Sequence, residues 1–148
     1  MPEPTATGST LTAADVMTVR PLCCNATSSV IEAVRIFREA DCGAVPVFDG
    51  GKLVGVLTDR DVALALTEHD RDLLALPVGE ITTPGVVSVG PGMPLDSVAT
   101  MFADRGVRRV LVVDDLGNLL GIIGWADLAP HITDAKVGRA MTRVVAKP

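Results

Sequence analysis

Ser29-Val30-Ile31-Glu32-Ala33-Val34-Arg35-Ile36-Phe37 reads as the opening turns of an amphipathic helix, and Pro94-Leu95-Asp96-Ser97-Val98-Ala99-Thr100-Met101-Phe102 restates it 65 residues later. Val30, Ala33, Val34 and Phe37 in the first stretch match Leu95, Val98, Ala99 and Phe102 in the second. Both sets fall at i, i+3, i+4 and i+7, the apolar stripe of a helix lying on a core. Ser29 with Glu32 makes a capping box, the hydroxyl serving the third residue's N–H while the carboxylate reaches back to the cap. Pro94 stands at the start of the second helix, where a missing N–H costs little. Gly43 and Gly106 follow the two stripes and are expected to terminate the helices.

Each stripe is followed by two short apolar runs around a turn. Ala44–Phe48 and Leu53–Leu57 flank Asp49-Gly50-Gly51-Lys52, and Val110–Val113 and Leu119–Ile123 flank Asp114-Asp115-Leu116-Gly117-Asn118. Such punctuation predicts hairpins. The second turn has one extra residue, so beyond it the offset becomes 66 and Gly55 matches Gly121, Asp61 matches Asp127. Runs apolar on both faces suggest covered strands. A second helix follows each hairpin. The first spans about Asp59 to His69, and its Val62-Ala63-Leu64-Ala65-Leu66 core is apolar enough to want burial on two sides, against its own sheet and a partner surface. The second is cut short by Pro130. A leading strand precedes each helix stripe, over Leu22–Asn25 and Val86–Val89.

The repeated unit is therefore β-α-β-β-α, and the fold class is α+β. The expected organisation is a tail over 1–12, a first repeat over 13–70, a linker over 71–79 containing Pro77, a second repeat over 80–133, and a C-terminal tail or short helix over 134–148. Each half is small for independent stability, so the two are expected to pack sheet to sheet with approximate twofold symmetry. Val137-Gly138-Arg139-Ala140-Met141-Thr142 echoes Val78-Gly79-Glu80-Ile81-Thr82-Thr83 and the earlier Val16-Met17-Thr18.

Composition narrows the function. Of the 148 residues 48% are hydrophobic and 21% charged, with a net charge of −5, which is globular rather than disordered. Acidity argues against nucleic acid and anionic membrane as partners, because both require basic surface. Met1–Thr10 lacks a charged start and an apolar run, so it is not expected to be a leader peptide, and no stretch approaches the length of a membrane span. A soluble, cytoplasmic protein is expected. Three cysteines, Cys23, Cys24 and Cys42, do not suggest a disulfide framework. They read as thiols buried in apolar segments, with a metal or redox responder as the alternative. There is no P-loop, no dinucleotide-binding glycine fingerprint and no His-Glu-x-x-His. His69 and His131 lie near helix ends, and Asp59 with Asp61 has no nucleophile or metal beside it. No catalytic residue and no metal site is expected.

Three landmarks occur twice in order. They are Val16-Met17-Thr18, Gly43-Ala44-Val45-Pro46-Val47 and Gly55-Val56-Leu57-Thr58-Asp59-Arg60-Asp61, then Ile81-Thr82-Thr83-Pro84, Val107-Arg108-Arg109-Val110-Leu111-Val112 and Gly121-Ile122-Ile123-Gly124-Trp125-Ala126-Asp127. Through them the chain resembles a tandem pair of CBS domains, or Bateman module, over nearly all of Ala14–Ile132. The resemblance implies a non-catalytic regulatory module with AMP, ADP, ATP or a related adenosyl ligand in clefts between the sheets, no resident cofactor, a homodimer formed through helices, and a regulated partner protein. By motif position Asp61 would hold the ribose hydroxyls, a task suited to a carboxylate that accepts two O–H donors, and Thr58 would lie beside ribose and phosphate. The helix start at Asp59 favours a phosphate. Cys42, Gly43, Ala44 and Val45 would meet the adenine, with Pro46 shaping the strand and Leu22 and Cys23 flanking the base. Thr18, Val87 and Val107 complete the set. Arg105, Arg108 and Arg109 form the densest basic cluster. Arg108, Arg109 and Arg60 are candidates for phosphate contacts, or else solvated charge. Thr58-x-x-Asp61 is equally a helix capping box that needs no ligand. In the second copy Gly124 replaces the threonine and Leu111 the proline, so Asp127 is left without a box to complete. The rival to ligand binding is a structural or dimerisation module.

Overall fold

The structure, a computed structural model, describes residues 11–69 and 72–132. The Val137–Thr142 echo and nearly all of the tail expected over 1–12 lie outside the described residues. The elements run α1 (Ala13–Val16), β1 (Thr18–Val19), β2 (Cys24–Asn25), α2 (Val30–Glu39), β3 (Ala44–Asp49), β4 (Lys52–Thr58), α3 (Asp59–Ala65), β5 (Ser88–Val89), α4 (Leu95–Arg105), β6 (Arg109–Val113), β7 (Leu119–Gly124) and α5 (Trp125–Leu128). The mixed α+β class and both β-α-β-β-α repeats are present as the sequence predicts. One sheet has the order β2-β3-β4 and the other β1-β7-β6-β5. In each, the leading strand is parallel to the first hairpin strand, Cys24 opposite Val47 and Val89 opposite Val112. The leading strands are two residues long rather than four.

The periodicity reading of the helices is met by burial. Val30 and Ala33 of α2, and Leu95, Val98, Ala99 and Phe102 of α4, are buried. Val45, Val47 and Leu57 supply the strand side of the first core, and Val110, Val112 and Ile123 that of the second. With few aromatic residues, both cores are built largely from aliphatic side chains; Phe102 and Trp125 form a ring pair 6.1 Å apart and tilted by 51°.

The helix ends correct one expectation. Gly106 closes α4 in the left-handed conformation (φ 62°, ψ 31°), as a C-terminal glycine does. The left-handed residue after α2 is not Gly43 but Asp41, at φ 50°, and Asp41 is the position 65 residues before Gly106. Aspartate is one of the few residues with a side chain that tolerates this region. The helix predicted from Asp59 to His69 ends at Ala65. The linker region carries 3-10 turns at Leu73–Ala75 and Val78–Glu80, with Leu73 and Val78 buried.

The compact units do not follow the sequence repeats. Among the described residues, those within 21–86 form one, and residues 11–20 belong with 87–132. The segment before each repeat thus packs on the body of the other. In the first unit Val30 N–H donates to Leu76 O (2.9 Å), Val78 N–H to Ser28 O (2.7 Å), Gly79 N–H to Ala26 O (2.9 Å) and Gly85 N–H to Val54 O (3.1 Å). In the second, Leu95 N–H donates to Leu11 O (3.1 Å), Ala13 N–H to Met93 O (2.9 Å), Ala14 N–H to Pro91 O (3.0 Å) and Arg20 N–H to Leu120 O (3.3 Å). Each bond of one set is the repeat equivalent of a bond in the other. Ala13 and Val78, equivalent positions, are both fully buried. Gly85 and Arg20, also equivalent, both have positive φ, 109° and 49°. Val16-Met17-Thr18, which opens the first repeat in sequence, leads into β1, and β1 pairs with β7, Thr18 opposite Ile122. Short-range pattern cannot show which body a connecting segment lies on.

Candidate functional site

The Pro21–Val86 unit holds the residues for which the sequence makes its fullest case. Antiparallel pairing sets Ala44 opposite Thr58 and Val45 opposite Leu57. The Asp59 N–H donates to Gly43 O at 3.1 Å. The backbone of Gly43–Val45 is therefore fixed beside the start of α3 by the ladder itself. Pro46 and Val45 are buried, Cys42, Gly43 and Ala44 half-buried. Cys23 and Leu22 lie just ahead of the parallel pair Cys24–Val47, and Leu22 is exposed. Arg60 is exposed.

Thr58 and Asp61 form the predicted box. Asp61 N–H donates to Thr58 Oγ1 at 3.1 Å and Thr58 N–H donates to Asp61 Oδ2 at 2.9 Å. This pins the carboxylate and leaves its second oxygen without a hydrogen bond among the described residues. Asp61 lines an open hollow of about 460 Å³ with Thr82, Thr83, Pro84 and the acidic Glu68 and Glu80. The sequence did not foresee that Thr82–Pro84, from the segment before the second repeat, would border this carboxylate. The contact is made possible by Gly55, since a Cβ there would lie 2.7 Å from Thr83 O. The Gly55–Gly121 correspondence was the available signal.

The other unit holds Thr18, Val87, Val107, Arg108, Arg109 and Asp127. Arg109 stands opposite Gly124, where the first unit has Ala44 opposite Thr58. Val87 O accepts from Leu111 N–H at 2.9 Å. Arg108 is exposed and Arg109 half-buried. Asp127, expected to have no capping box to complete, makes half of one: its Oδ2 accepts the Gly124 N–H at 2.8 Å. The missing half is the hydroxyl.

The thiols are partly as expected. Cys24 is buried, and Cys23 and Cys42 are half-buried. Burial, reinforced by the neighbouring Cys23 thiol and Glu32, pushes Cys24 up to about 11; burial also raises Cys23. Neither is a ready thiolate at neutral pH. Among the described residues no three His, Cys, Asp or Glu side chains come together as a metal would require, and no helix is long and apolar enough to cross a membrane.

The family model of the CBS domain matches residues 13–68 and 78–134. The CBS domain-containing protein YhcV of Bacillus subtilis is 34% identical over 131 residues, covering 88% of this chain and 92% of that protein. Hypoxic Response Protein I, solved with two coordinated zinc ions, is 28% identical with a TM-score of 0.70, over 82% of this chain and 99% of that one; a protein of that name from Mycobacterium tuberculosis is 29% identical over 124 residues, covering 83% of this chain and 86% of that protein. The CBS domain pair of protein MJ0100, solved in complex with 5′-methylthioadenosine and S-adenosyl-L-methionine, is 28% identical with a TM-score of 0.71, over 80% of this chain and 93% of that one.

Proposed function

The chain belongs to the CBS domain family as a tandem pair, a regulatory type of module, and from that premise we propose that it is a non-catalytic cytoplasmic sensor of an adenosyl ligand. The ligand binds at Thr58 and Asp61. The observation that carries this is the Asp61 carboxylate, fixed through one oxygen by Thr58 N–H at 2.9 Å and free through the other at a hollow. A carboxylate so held is preorganised to accept ribose hydroxyls without reorganising. Gly43–Val45 and Pro46, held to the same sheet end by the Ala44–Thr58 pair, give an apolar backbone edge for the base, flanked by Leu22 and Cys23. Arg60 is available for a phosphate. Thr18, Val87, Val107, Arg108, Arg109 and Asp127 make up a second set, which lacks the threonine hydroxyl. AMP, ADP, ATP, 5′-methylthioadenosine and S-adenosylmethionine share the ribose and base that these groups address. No resident cofactor is needed, and the bound state is read by a partner protein.

Ligand at 100 times its dissociation constant adds about 2.7 kcal/mol, which for a chain of this size raises Tm by roughly 5–10 °C. Denaturing extraction and mass analysis of the purified protein identifies any adenosyl compound it already carries. A protein shown to be nucleotide-free whose Tm ignores all five compounds would not be such a sensor. A second reading, a ligand-free dimerisation module, is favoured by one observation: Leu64 of α3 and Leu66, which caps its end, are each 54% exposed. It predicts a Tm that rises with protein concentration and is indifferent to nucleotide.

A further inference from the structure

The hollow of about 460 Å³ at Asp61 is lined by groups of one electrical sign. Asp61, Glu68 and Glu80 bring three carboxylates to it, and among the described residues no Lys, Arg or His lines it. The donors around it are already engaged. Thr67 Oγ1 donates to Leu64 O and Thr82 Oγ1 to Val78 O, both at 2.8 Å, so each hydroxyl offers a ligand only lone pairs. The N–H groups of Thr67 and Glu68 donate to Leu64 O and Ala65 O, and those of Glu80, Ile81 and Thr82 to Pro77 O and Val78 O. Pro84 has no N–H. The start of α3 adds little for an anion. Asp59 N–H donates to Gly43 O and Asp61 N–H to Thr58 Oγ1, and Asp59 and Asp61 put two carboxylates in the first turn.

Resting on the reading of Asp61 as the ribose acceptor, we propose that the hollow selects the ligand by charge: it takes a neutral or positively charged side arm and rejects phosphate. The class of adenosyl compound it admits is a sulfonium, an ammonium or an uncharged derivative, ahead of a nucleoside phosphate. Phosphate oxygens entering the hollow would meet acceptors without donors and lose their hydration with nothing in its place. An ammonium or sulfonium group meets the same acceptors favourably, and a cleft lined by one sign of charge concentrates the opposite sign. Leu64, Ile81 and Pro84 give the hollow an apolar wall, on which the methylene stem of such an arm can lie. Among the described residues no three His, Cys, Asp or Glu side chains come together as a metal would require. The carboxylates therefore act through their combined field on an organic cation, not as a chelate.

The test is calorimetric titration of the full chain with S-adenosylmethionine, 5′-methylthioadenosine, AMP and ATP, which differ in the charge carried on one adenosyl group. The first two are expected to bind more tightly than AMP, and AMP more tightly than ATP. At about 0.01 M salt ATP should be weaker than S-adenosylmethionine by about tenfold or more, a gap that closes toward about 1 M. Glu68→Gln with Glu80→Gln removes two exposed carboxylates and should narrow the gap by about threefold or more. Uncharged 5′-methylthioadenosine should keep its affinity in that double variant, which shows that fold and ribose contacts are intact. ATP bound as tightly as S-adenosylmethionine, a gap unchanged in the double variant, or an equal loss of 5′-methylthioadenosine overturns the proposal. The ribose reading survives those results wherever Asp61→Ala weakens every compound that binds. Failure of all four compounds to bind overturns the ribose reading, and the charge selection with it.

Discussion

The two repeats share a backbone plan and differ where a ligand would touch. At the first, Thr58 caps α3 with its hydroxyl while Asp61 returns a carboxylate oxygen. At the second, Gly124 has no hydroxyl, yet Asp127 still reaches back 2.8 Å to the Gly124 N–H. Across the hairpin, Ala44 faces Thr58 but Arg109 faces Gly124. A small neutral neighbour beside a hydroxyl suits a sugar and a base; a guanidinium beside a bare glycine does not reproduce that surface. The carboxylate, which both keep, caps a helix in both and so does not by itself distinguish the two. The hydroxyl and the small opposite residue, which only the first keeps, are the features on which the proposed binding at that repeat can be set apart from a plain helix start.

The largest expected effect tests what the repeats have in common. Gly55 and Gly121 each lie under the other repeat's leading segment, where a Cβ would come within 2.7 Å of a backbone oxygen, Thr83 O or Thr18 O. Gly55→Ala and Gly121→Ala should each lower stability by about 1–3 kcal/mol, the usual cost of overpacking, measured by urea unfolding. A loss at one site only would break the equivalence of the two exchanged segments.

A second difference lies in the thiols, which only the first body carries. With its folded-state value raised to about 11, above the ordinary thiol range near 9, Cys24 favours the fold while protonated. That contribution is complete below about pH 8 and is lost as pH rises through 11. Cys24→Ala should flatten the alkaline side of the stability profile, and a profile that stays equally steep would show that other groups cause it.

Smaller effects sharpen the capping comparison. Thr58→Ala should cost about 1 kcal/mol. Gly124→Thr should gain a few tenths, because a Cβ at Gly124 meets nothing closer than Asp127 Oδ2 at 3.7 Å and the backbone there is already extended, at φ −103°. Thermal unfolding of both variants resolves the signs. A loss at Gly124→Thr would mean that the second repeat has no room for the box.

The elements that the sequence announced were those with dense local signals. Apolar spacing fixed α2 and α4, and Asp49–Lys52 and Asp114–Asn118 marked the hairpins. Thr58-x-x-Asp61 was visible as a box; the Ala44–Thr58 register was not, because it depends on the register shift between Val47 and Phe48. What stayed hidden was non-local. Nothing near Val16-Met17-Thr18 says that this segment lies on the second sheet, because its partners, Pro91, Met93 and Ile122, are remote in sequence and reached through backbone atoms. The left-handed residue after α2 was misplaced to Gly43 because glycine is the usual occupant; the repeat offset from Gly106 pointed to Asp41. The exposure of Leu64 and Leu66 was equally beyond local pattern, since a run apolar all round reads as buried.

The most direct test of ligand recognition compares two carboxylates that do the same capping work. Asp61→Ala and Asp127→Ala each remove one helix-start acceptor, so their effects on the unliganded Tm should be similar. With saturating 5′-methylthioadenosine, S-adenosylmethionine or AMP, whichever shifts the wild type most, Asp61→Ala should lose most of the ligand-induced rise while Asp127→Ala keeps it. An undiminished rise in Asp61→Ala would contradict the assignment of ribose recognition to the first repeat.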